Sequence, residues 1–181
     1  MKYRKNLIIE TDRLYLRPLC SSDRHELFDL FADDRVLENF VALKAKDRQH
    51  FSLDSLISYA ATEQRYLLAI VLKANQEVIG LLIQNNCYDL YHNTVDLGYA
   101  LKYAYWHQGL MSEALKALIS YFFKAGVHRI CGECFSDNRA SARVMEKCGM
   151  KLEGKRIEEI FYSNRYRDSD CYYILNKTEK H

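Results

Sequence analysis

The sequence lacks the features that divide a chain into separate parts. It has one proline and seven glycines among 181 residues, and it contains no internal repeat, no low-complexity run and no segment typical of a linker. We therefore expect one domain that comprises residues 1–181. A chain of this length can bury roughly 70% of its unfolded surface, so it needs no disulfide or metal to fold.

Neither an excess of charge nor a long apolar segment is present. The net charge is +2, which is too small to indicate binding to nucleic acid or to an anionic membrane surface. The first ten residues lack the apolar core of a signal peptide, and no later segment has the length needed to span a bilayer. We expect a cytoplasmic protein without direct nucleic-acid or membrane contacts.

The cysteines do not form the pattern of a metal site. Cys131 and Cys134 make one C-x-x-C, but the sequence has no second C-x-x-C and no histidine pair at ligand spacing. Residues 128–135 predict a strand, on which residues three apart point to opposite faces. We therefore predict no metal, and we interpret the six cysteines as reduced thiols packed in the core.

The most informative segment lies between residues 95 and 126. Val95–Leu101 alternates as a strand does, and a helix that would end at Gly126 follows, with an apolar stripe formed by Met111, Leu115, Leu118 and Phe122. Where a strand turns through a glycine into a helix, free backbone N–H groups and the positive end of the helix dipole face one point. Such a point suits a phosphate, because Gly109 has no Cβ to keep the phosphate away.

The rest of the chain predicts further strands and helices. Strands are expected at residues 11–19, 66–72, 78–83 and 128–135, and in a closing hairpin, 151–162 with 166–175, that turns at Ser163-Asn164. Helices are expected after a cap at Ser22-Asp23, as a turn or two between residues 34 and 50, and at 53–61. A last helix is expected after a cap at Asp137 or Asn138 and should end at Gly149. The pattern predicts an α+β fold with a mixed, mostly antiparallel sheet and helices on both faces.

Three segments resemble the GNAT acyltransferase superfamily. Residues 106–114, Trp-His-Gln-Gly-Leu-Met-Ser-Glu-Ala, resemble the acetyl-CoA pyrophosphate loop of the branch that acetylates ribosomal-protein N-termini, with His107 in place of a glycine. Residues 138–150 resemble the motif Asn-x-x-Ser-x-x-x-x-Glu-Lys-x-Gly-Phe, and residues 11–18 resemble the opening strand of the same branch. The resemblance implies a GNAT fold of six or seven strands, in which the fourth and fifth strands separate to admit the pantetheine arm.

The resemblance also implies acetyl-CoA as cosubstrate and no metal. The residues assigned to the cofactor belong to the loop, the strand before it and the second helix motif: Tyr99, Leu101, Gln108, Gly109, Leu110, Met111, Ser112 and Asn138.

Candidate catalytic residues follow from the same motifs. Many superfamily members carry a tyrosine acid where this chain has Met145, so Ser141 is assigned as the group that protonates the thiolate. The alternative is a core serine bonded to a carbonyl four residues back. Glu159 is the candidate base, because it would share a strand face with Ile157 and Phe161 and have a raised pKa. Asp96 is the second candidate, and a solvated sheet face is the alternative for both acids.

The resemblance implies acetyl transfer to a primary amine. At pH 7, deprotonation costs on the order of 1 kcal/mol for a peptide α-amine and nearly 5 kcal/mol for lysine, from pKa values of about 7.7–8.0 and 10.4. A sequence without an obvious strong base therefore favours a peptide N-terminus, such as that of a ribosomal protein. A small amine (polyamine, aminoglycoside or amino acid) and binding of acyl-CoA without catalysis remain alternatives, and a homodimer remains an alternative to a monomer.

Overall fold

The computed structural model describes residues 6–40, 53–63, 65–85 and 93–177. Within these ranges the elements are, in chain order, β1 (Ile9–Glu10), β2 (Leu14–Pro18), α1 (Arg24–Ala32), α2 (Asp34–Leu37), α3 (Leu53–Thr62), β3 (Leu67–Leu72), β4 (Val78–Gln84), β5 (Thr94–Leu101), α4 (Leu110–Lys124), β6 (Arg129–Phe135), α5 (Arg139–Lys147), β7 (Lys151–Tyr162) and β8 (Arg165–Leu175). Of the helical turns expected between residues 34 and 50, α2 is present, and residues 41–50 lie outside the described part. No helix in these ranges has the length and apolarity needed to cross a membrane.

The strands form a single sheet in the order β1-β2-β3-β4-β5-β6-β8-β7. Every neighbouring pair is antiparallel except β5 and β6, which confirms the predicted mixed, mostly antiparallel sheet. The described strands number eight rather than six or seven. The additional strand, β1, has two residues and is too short to produce an alternating pattern in the sequence.

Helices cover both faces of the sheet, as predicted. On one face, α4 and α5 pack over a core that includes Leu68, Ile70, Leu115 and Phe122. On the other face, α1, α2 and α3 cover a second core that includes Leu67, Ala69, Leu27 and Leu30. The continuous apolar run of β3 follows from this arrangement, since successive residues of a strand alternate between two buried faces.

Asp23 does not cap α1 with its side chain, contrary to the prediction. Its carboxylate, 3% exposed, accepts two hydrogen bonds of 2.7 Å from the Arg17 guanidinium and one of 2.9 Å from the Cys20 amide. Burial raises the pKa of Asp23, but these hydrogen bonds outweigh burial, so that its pKa lies below the usual value. The pair therefore joins the end of β2 to the start of α1.

The closing hairpin turns where the sequence predicts. Ser163 and Asn164 adopt φ angles of 52° and 59°, the left-handed pair that a two-residue hairpin loop requires. Asparagine tolerates this conformation better than most residues do, which suits Asn164 to the second position of the turn.

Strand β7 does not alternate regularly, which removes the reason for choosing Glu159 as base. The pairing register shifts between Arg156 and Ile160, and Glu158 has a φ of 48°. A bulge of this kind resets which face each side chain occupies. Ile157 and Phe161 are 69% and 62% exposed. The prediction that Glu159 lies on an apolar inner face with Ile157 and Phe161 is therefore wrong.

Candidate active site

A gap opens between β5 and β6 in the middle of the sheet. The two strands pair only from Thr94↔Arg129 to Asp96↔Cys131 and then separate. Gly132 lies at this point, and a Cβ on it would be 2.9 Å from the Leu97 carbonyl oxygen, so a residue without a Cβ is required there. The separation expected from the resemblance is present, one strand later in the numbering because β1 precedes it.

A cavity of about 650 Å³ passes through this gap. Most of the residues predicted to bind the cofactor or to act in catalysis line it: Tyr99, Leu101, Gly109, Leu110, Met111, Ser112, Asn138 and Ser141. Gln108, Asp96 and Glu159 are outside that lining. The Gln108 side chain instead donates to the Ala104 carbonyl at 2.9 Å and so stabilises its own turn.

Backbone groups of β5 are directed into the gap. Adjacent residues of an antiparallel strand direct their N–H and C=O groups to opposite sides. The Asp96 carbonyl accepts the Asn85 amide on the β4 side at 2.9 Å, so the groups of Tyr99, three residues later, face β6. Leu101 has the same orientation, and its carbonyl accepts the Trp106 indole N–H at 2.7 Å. The Tyr99 amide can therefore hydrogen-bond a ligand that occupies the gap.

The loop before α4 presents free amides to the cavity. Gly109 is the N-cap residue with a φ of 77°, and the first hydrogen bond of the helix joins the Glu113 amide to the Gly109 carbonyl. The amides of residues 110–112 thus have no acceptor within the helix, and glycine has no side chain to cap them. This arrangement, at the positive end of a helix of 15 residues, can hold a phosphate.

His107 replaces a glycine of the resembling motif but keeps a glycine-like backbone. Its φ is 61°, in the left-handed region that glycine adopts most readily. Its imidazole contacts the Trp106 ring at 6.5 Å between centroids. His107 therefore adopts the backbone conformation that a glycine at this position would favour.

Two hydroxyl groups meet on the α5 side of the gap. The Tyr99 and Ser141 hydroxyl oxygens are 2.8 Å apart, and the Asn138 side chain caps α5 by accepting the Ser141 amide at 3.1 Å. Burial raises the pKa of Tyr99 well above its ordinary value, so this phenol stays protonated near neutral pH. The family resemblance implies only a cofactor-binding role for Tyr99, because its contact with Ser141 depends on the packing of β5 against α5.

Three carboxylates and one guanidinium lie near the opposite face of the gap. Arg156 donates to Glu133 at 3.0 Å and to Glu159 at 2.7 Å, while Asp96 accepts from the Asn85 amide group at 2.9 Å. Burial raises the pKa of Asp96. Burial also raises the pKa of Glu133, the charges of Glu159 and Asp96 add to this effect, and Arg156 opposes it.

Glu133 lines the cavity and was not predicted from the sequence. It lies two residues after Cys131, the residue that pairs with Asp96, and so it shares the face of Asp96. That Glu133 and Asp96 are neighbours follows only from the parallel register of β5 and β6. Glu159, in contrast, is hydrogen-bonded to both Arg156 and the Ser169 hydroxyl.

The cavity wall on this face is formed by α2 and the closing hairpin. The Tyr162 hydroxyl donates to the Leu37 carbonyl at 2.5 Å, and Arg167 donates to the Glu38 carbonyl at 2.8 Å. Arg167 also pairs with Asp137, the residue before the Asn138 cap. The wall adds apolar and neutral polar groups to the cavity lining: Val36, Asn39, Phe40 and Ile160.

The described residues offer no group of three or more His, Cys, Asp and Glu side chains able to hold a metal ion. Cys134 and Cys148 are buried free thiols, as expected, and burial raises the pKa of Cys134 to about 12. Cys20 is exposed, which contradicts the prediction that the described cysteines all lie in the core. Cys87 lies outside the described residues.

Comparison with known proteins agrees with this geometry. The family model described as "Acetyltransferase (GNAT) domain" matches residues 13–151. The chain is 30% identical over 179 residues to the uncharacterized N-acetyltransferase YoaA of Bacillus subtilis (strain 168), covering 95% of this chain and 98% of that protein. It is 30% identical over 111 residues to the ribosomal-protein-serine acetyltransferase of Escherichia coli (strain K12), covering 61% and 62%.

A solved structure shares the fold. RimL, a ribosomal L7/L12 alpha-N-protein acetyltransferase in complex with coenzyme A, superposes with a TM-score of 0.79 at 21% identity, covering 96% of this chain and 100% of that chain. The family match spans well over half of the sequence and includes β5, the loop before α4, β6 and α5. The chain therefore belongs to the GNAT family and is an acetyl-CoA-dependent N-acetyltransferase.

Proposed function

We propose that this enzyme acetylates the N-terminal α-amino group of a peptide, and specifically that of a ribosomal protein. The observation that carries the proposal is the position of Glu133 in the cavity, on the opposite side of the sheet from the hydroxyl pair of Tyr99 and Ser141. An acceptor amine that enters from the Glu133 side meets a thioester that enters from the loop side. The gap between β5 and β6 is the point where the two substrates meet.

The basicity of Glu133 favours an α-amine over a lysine side chain. Burial raises the pKa of Glu133, and the positive charge of Arg156 opposes this rise. Glu133 is therefore a weak base. Transfer of a proton to such a carboxylate is far easier from an ammonium with a pKa of about 7.7–8.0 than from one of about 10.4. A carboxylate base therefore favours the first substrate over the second.

The proposed reaction has three steps. Glu133 accepts a proton from the ammonium, and the neutral nitrogen attacks the thioester carbon, whose oxygen is polarised by the Tyr99 amide. The tetrahedral intermediate loses its second N–H proton to solvent and collapses with cleavage of the C–S bond, and Glu133 returns its own proton to solvent. The departing thiolate takes a proton from the Ser141 hydroxyl, and Ser141 regains a proton from solvent through the Tyr99 hydroxyl, its hydrogen-bond partner. The products are the acetylated amine, coenzyme A and one released proton.

Related proteins support the ribosomal substrate. The Escherichia coli relative is a ribosomal-protein-serine acetyltransferase, and the coenzyme A-bound neighbour is a ribosomal L7/L12 alpha-N-protein acetyltransferase. Both names denote acetylation of ribosomal proteins. The loop before α4 and the α5 motif, which contain the residues assigned to the cofactor, are also segments that resemble this branch.

The proposal is tested by measuring coenzyme A release with a panel of amines. We expect turnover with a peptide that begins with serine or alanine, and kcat/KM at least tenfold lower with spermidine, with kanamycin and with the same peptide after N-terminal blocking. The blocked peptide should retain an internal lysine, so that it serves as the control for side-chain acetylation. Turnover with spermidine or kanamycin but not with the free peptide would contradict the proposal, as would acetyl-CoA binding without turnover on any amine.

The role of Glu133 predicts a specific pH dependence. A base acts when deprotonated, so kcat/KM should rise with pH through the pKa of Glu133. We expect Glu133→Gln to lower kcat/KM about tenfold at neutral pH, a small effect for a general base because an α-amine is already partly neutral. Asp96→Asn and Glu159→Gln each remove a negative neighbour that raises the pKa of Glu133, so the acid limb of the kcat/KM profile should move to lower pH. Arg156→Gln removes a positive neighbour that lowers this pKa, so the acid limb should move to higher pH.

Rate profiles between pH 6 and pH 9 distinguish the three acids. If Glu133→Gln keeps the wild-type profile while Glu159→Gln or Asp96→Asn loses the acid limb, the base is the residue predicted from the sequence. If all three variants retain full kcat/KM across the range, ionisation of the substrate itself controls the rate.

A further inference from the structure

Two segments that lie about one hundred residues apart in sequence meet beside the loop before α4. Glu113, in the first turn of α4, accepts hydrogen bonds from the Thr11 hydroxyl at 2.6 Å, the Arg13 amide at 2.9 Å and Arg13 Nε at 2.7 Å. Arg13 Nη2 completes the ion pair at 2.7 Å. The opening segment of the chain thus contacts the helix whose N-terminus faces the cavity.

Arg13 contacts the loop backbone as well as the helix. Its Nη1 donates to the Gln108 carbonyl at 3.1 Å, and its Nη2 lies 3.7 Å from the position a Cβ would take on Gly109. One planar guanidinium therefore bridges the Glu113 carboxylate and the peptide unit just before the glycine. Because the peptide group is planar, the Gln108 carbonyl and the Gly109 amide are oriented together.

The charge of Glu113 would otherwise oppose phosphate binding. A carboxylate in the first turn of α4 lies close to the free amides, where its negative charge repels an anionic ligand. Burial raises the pKa of Glu113, but its bonds to Thr11 and Arg13 outweigh burial, so its pKa is lowered and the group is ionised near neutral pH. Arg13 neutralises this charge at the loop.

We propose that Arg13 is a positioning residue for acetyl-CoA, which orients the amides of residues 109–112 by bridging Glu113 and the Gln108 carbonyl. The inference rests on the proposal that these amides bind the pyrophosphate. It assigns a function to Arg13, which lies in the opening motif (residues 11–18) just before β2. Arginine suits this role better than lysine, because its fork of donors reaches two acceptors in fixed directions.

Steady-state kinetics of Arg13→Ala test the assignment. Loss of one charged hydrogen bond and of the neutralising charge should raise KM for acetyl-CoA about tenfold, with little change in kcat or in KM for the amine. S-acetylpantetheine, which lacks the pyrophosphate, should be used equally well by the wild type and the variant. Arg129→Ala is the matched control, since it breaks an arginine–glutamate pair of 2.5 Å with Glu153 away from the cavity. The control should leave KM for acetyl-CoA unchanged.

A charge-reversed pair separates positioning from simple stabilisation. The double variant Arg13→Glu with Glu113→Arg can restore the ion pair, but a glutamate at position 13 cannot donate to the Gln108 carbonyl. We expect its melting temperature to recover while KM for acetyl-CoA stays high. Arg13→Lys should also have a KM for acetyl-CoA above the wild-type value. If Arg13→Ala does not fold, Arg13→Lys is used in its place.

Each contrary result has a distinct meaning. Wild-type KM in the charge-reversed pair or in Arg13→Ala overturns the positioning role. If Gly109→Val still loses acetyl-CoA binding in that case, the assignment of the loop stands. If Gly109→Val also binds normally, the loop assignment fails together with the role of Arg13.

Discussion

Gly109→Val is expected to weaken acetyl-CoA binding by at least about 100-fold, the equivalent of two lost hydrogen bonds to a charged phosphate. Gly109 has a φ of 77°, a conformation in which a β-branched side chain is strongly strained. The position of an added Cβ lies 3.7 Å from Arg13 Nη2, so the branched side chain would also crowd the guanidinium that contacts this loop. Titration calorimetry with coenzyme A measures the loss.

Gly126→Val provides a control at the opposite end of the same helix. Gly126 has a φ of 86°, and no atom lies within 4 Å of the position of an added Cβ. The variant therefore carries a similar backbone strain without approaching the cavity. We expect both variants to lose thermal stability and only Gly109→Val to lose coenzyme A binding. Unchanged affinity in a folded Gly109→Val protein would show that the pyrophosphate binds elsewhere.

Ser141→Ala is expected to lower kcat about 100-fold, or about 2.7 kcal/mol of barrier, the low end for general acid catalysis. A thiol has a pKa of about 8.5, so the thiolate leaves tolerably well near neutral pH and needs only moderate help. Ser141 can give this help when Tyr99, a protonated phenol 2.8 Å away, donates to the Ser141 hydroxyl oxygen. The Tyr99 hydroxyl also donates to the Ser141 carbonyl at 3.2 Å, so the two hydroxyl groups can exchange the donor role. Acetyl-CoA affinity should stay near the wild-type value.

Tyr99→Phe separates the two hydroxyl groups. It removes the partner of Ser141 and leaves the ring in place, so we expect a fall in kcat smaller than that of Ser141→Ala. If Ser141 has only a structural role, Ser141→Ala should lower the melting temperature modestly and leave kcat unchanged. Measuring kcat and the melting temperature on the same samples distinguishes these results.

The elements of the fold could be predicted where the signal is local. The stripe of α4 places Met111, Leu115, Leu118 and Phe122 in the core, and the helix is followed by Gly126 in a left-handed conformation, as predicted. The prediction failed where alternation is broken by a bulge, as at Glu158, because a register shift depends on the partner strand and not on the residues themselves.

The candidate site was predictable only in part, for the same reason. The loop before α4 is formed by consecutive residues, so Gly109 and the start of α4 could be identified from their order. Glu133 became a candidate only through the register of β5 with β6, and the Arg13–Glu113 pair only through the packing of β2 beside α4.

By itself, the sequence determined the α+β class, the place where α4 begins and a cap of α5 at Asp137 or Asn138, since helix periodicity, capping and left-handed glycines act between neighbouring residues. The structure decides for Asn138. The tertiary structure alone decided where the sheet opens, which carboxylate enters the gap and which hydroxyl meets Ser141. These features are contacts between residues distant in the chain, such as Tyr99 with Ser141. Their geometry is set by strand register and by the packing of helices on the sheet, which no local pattern encodes.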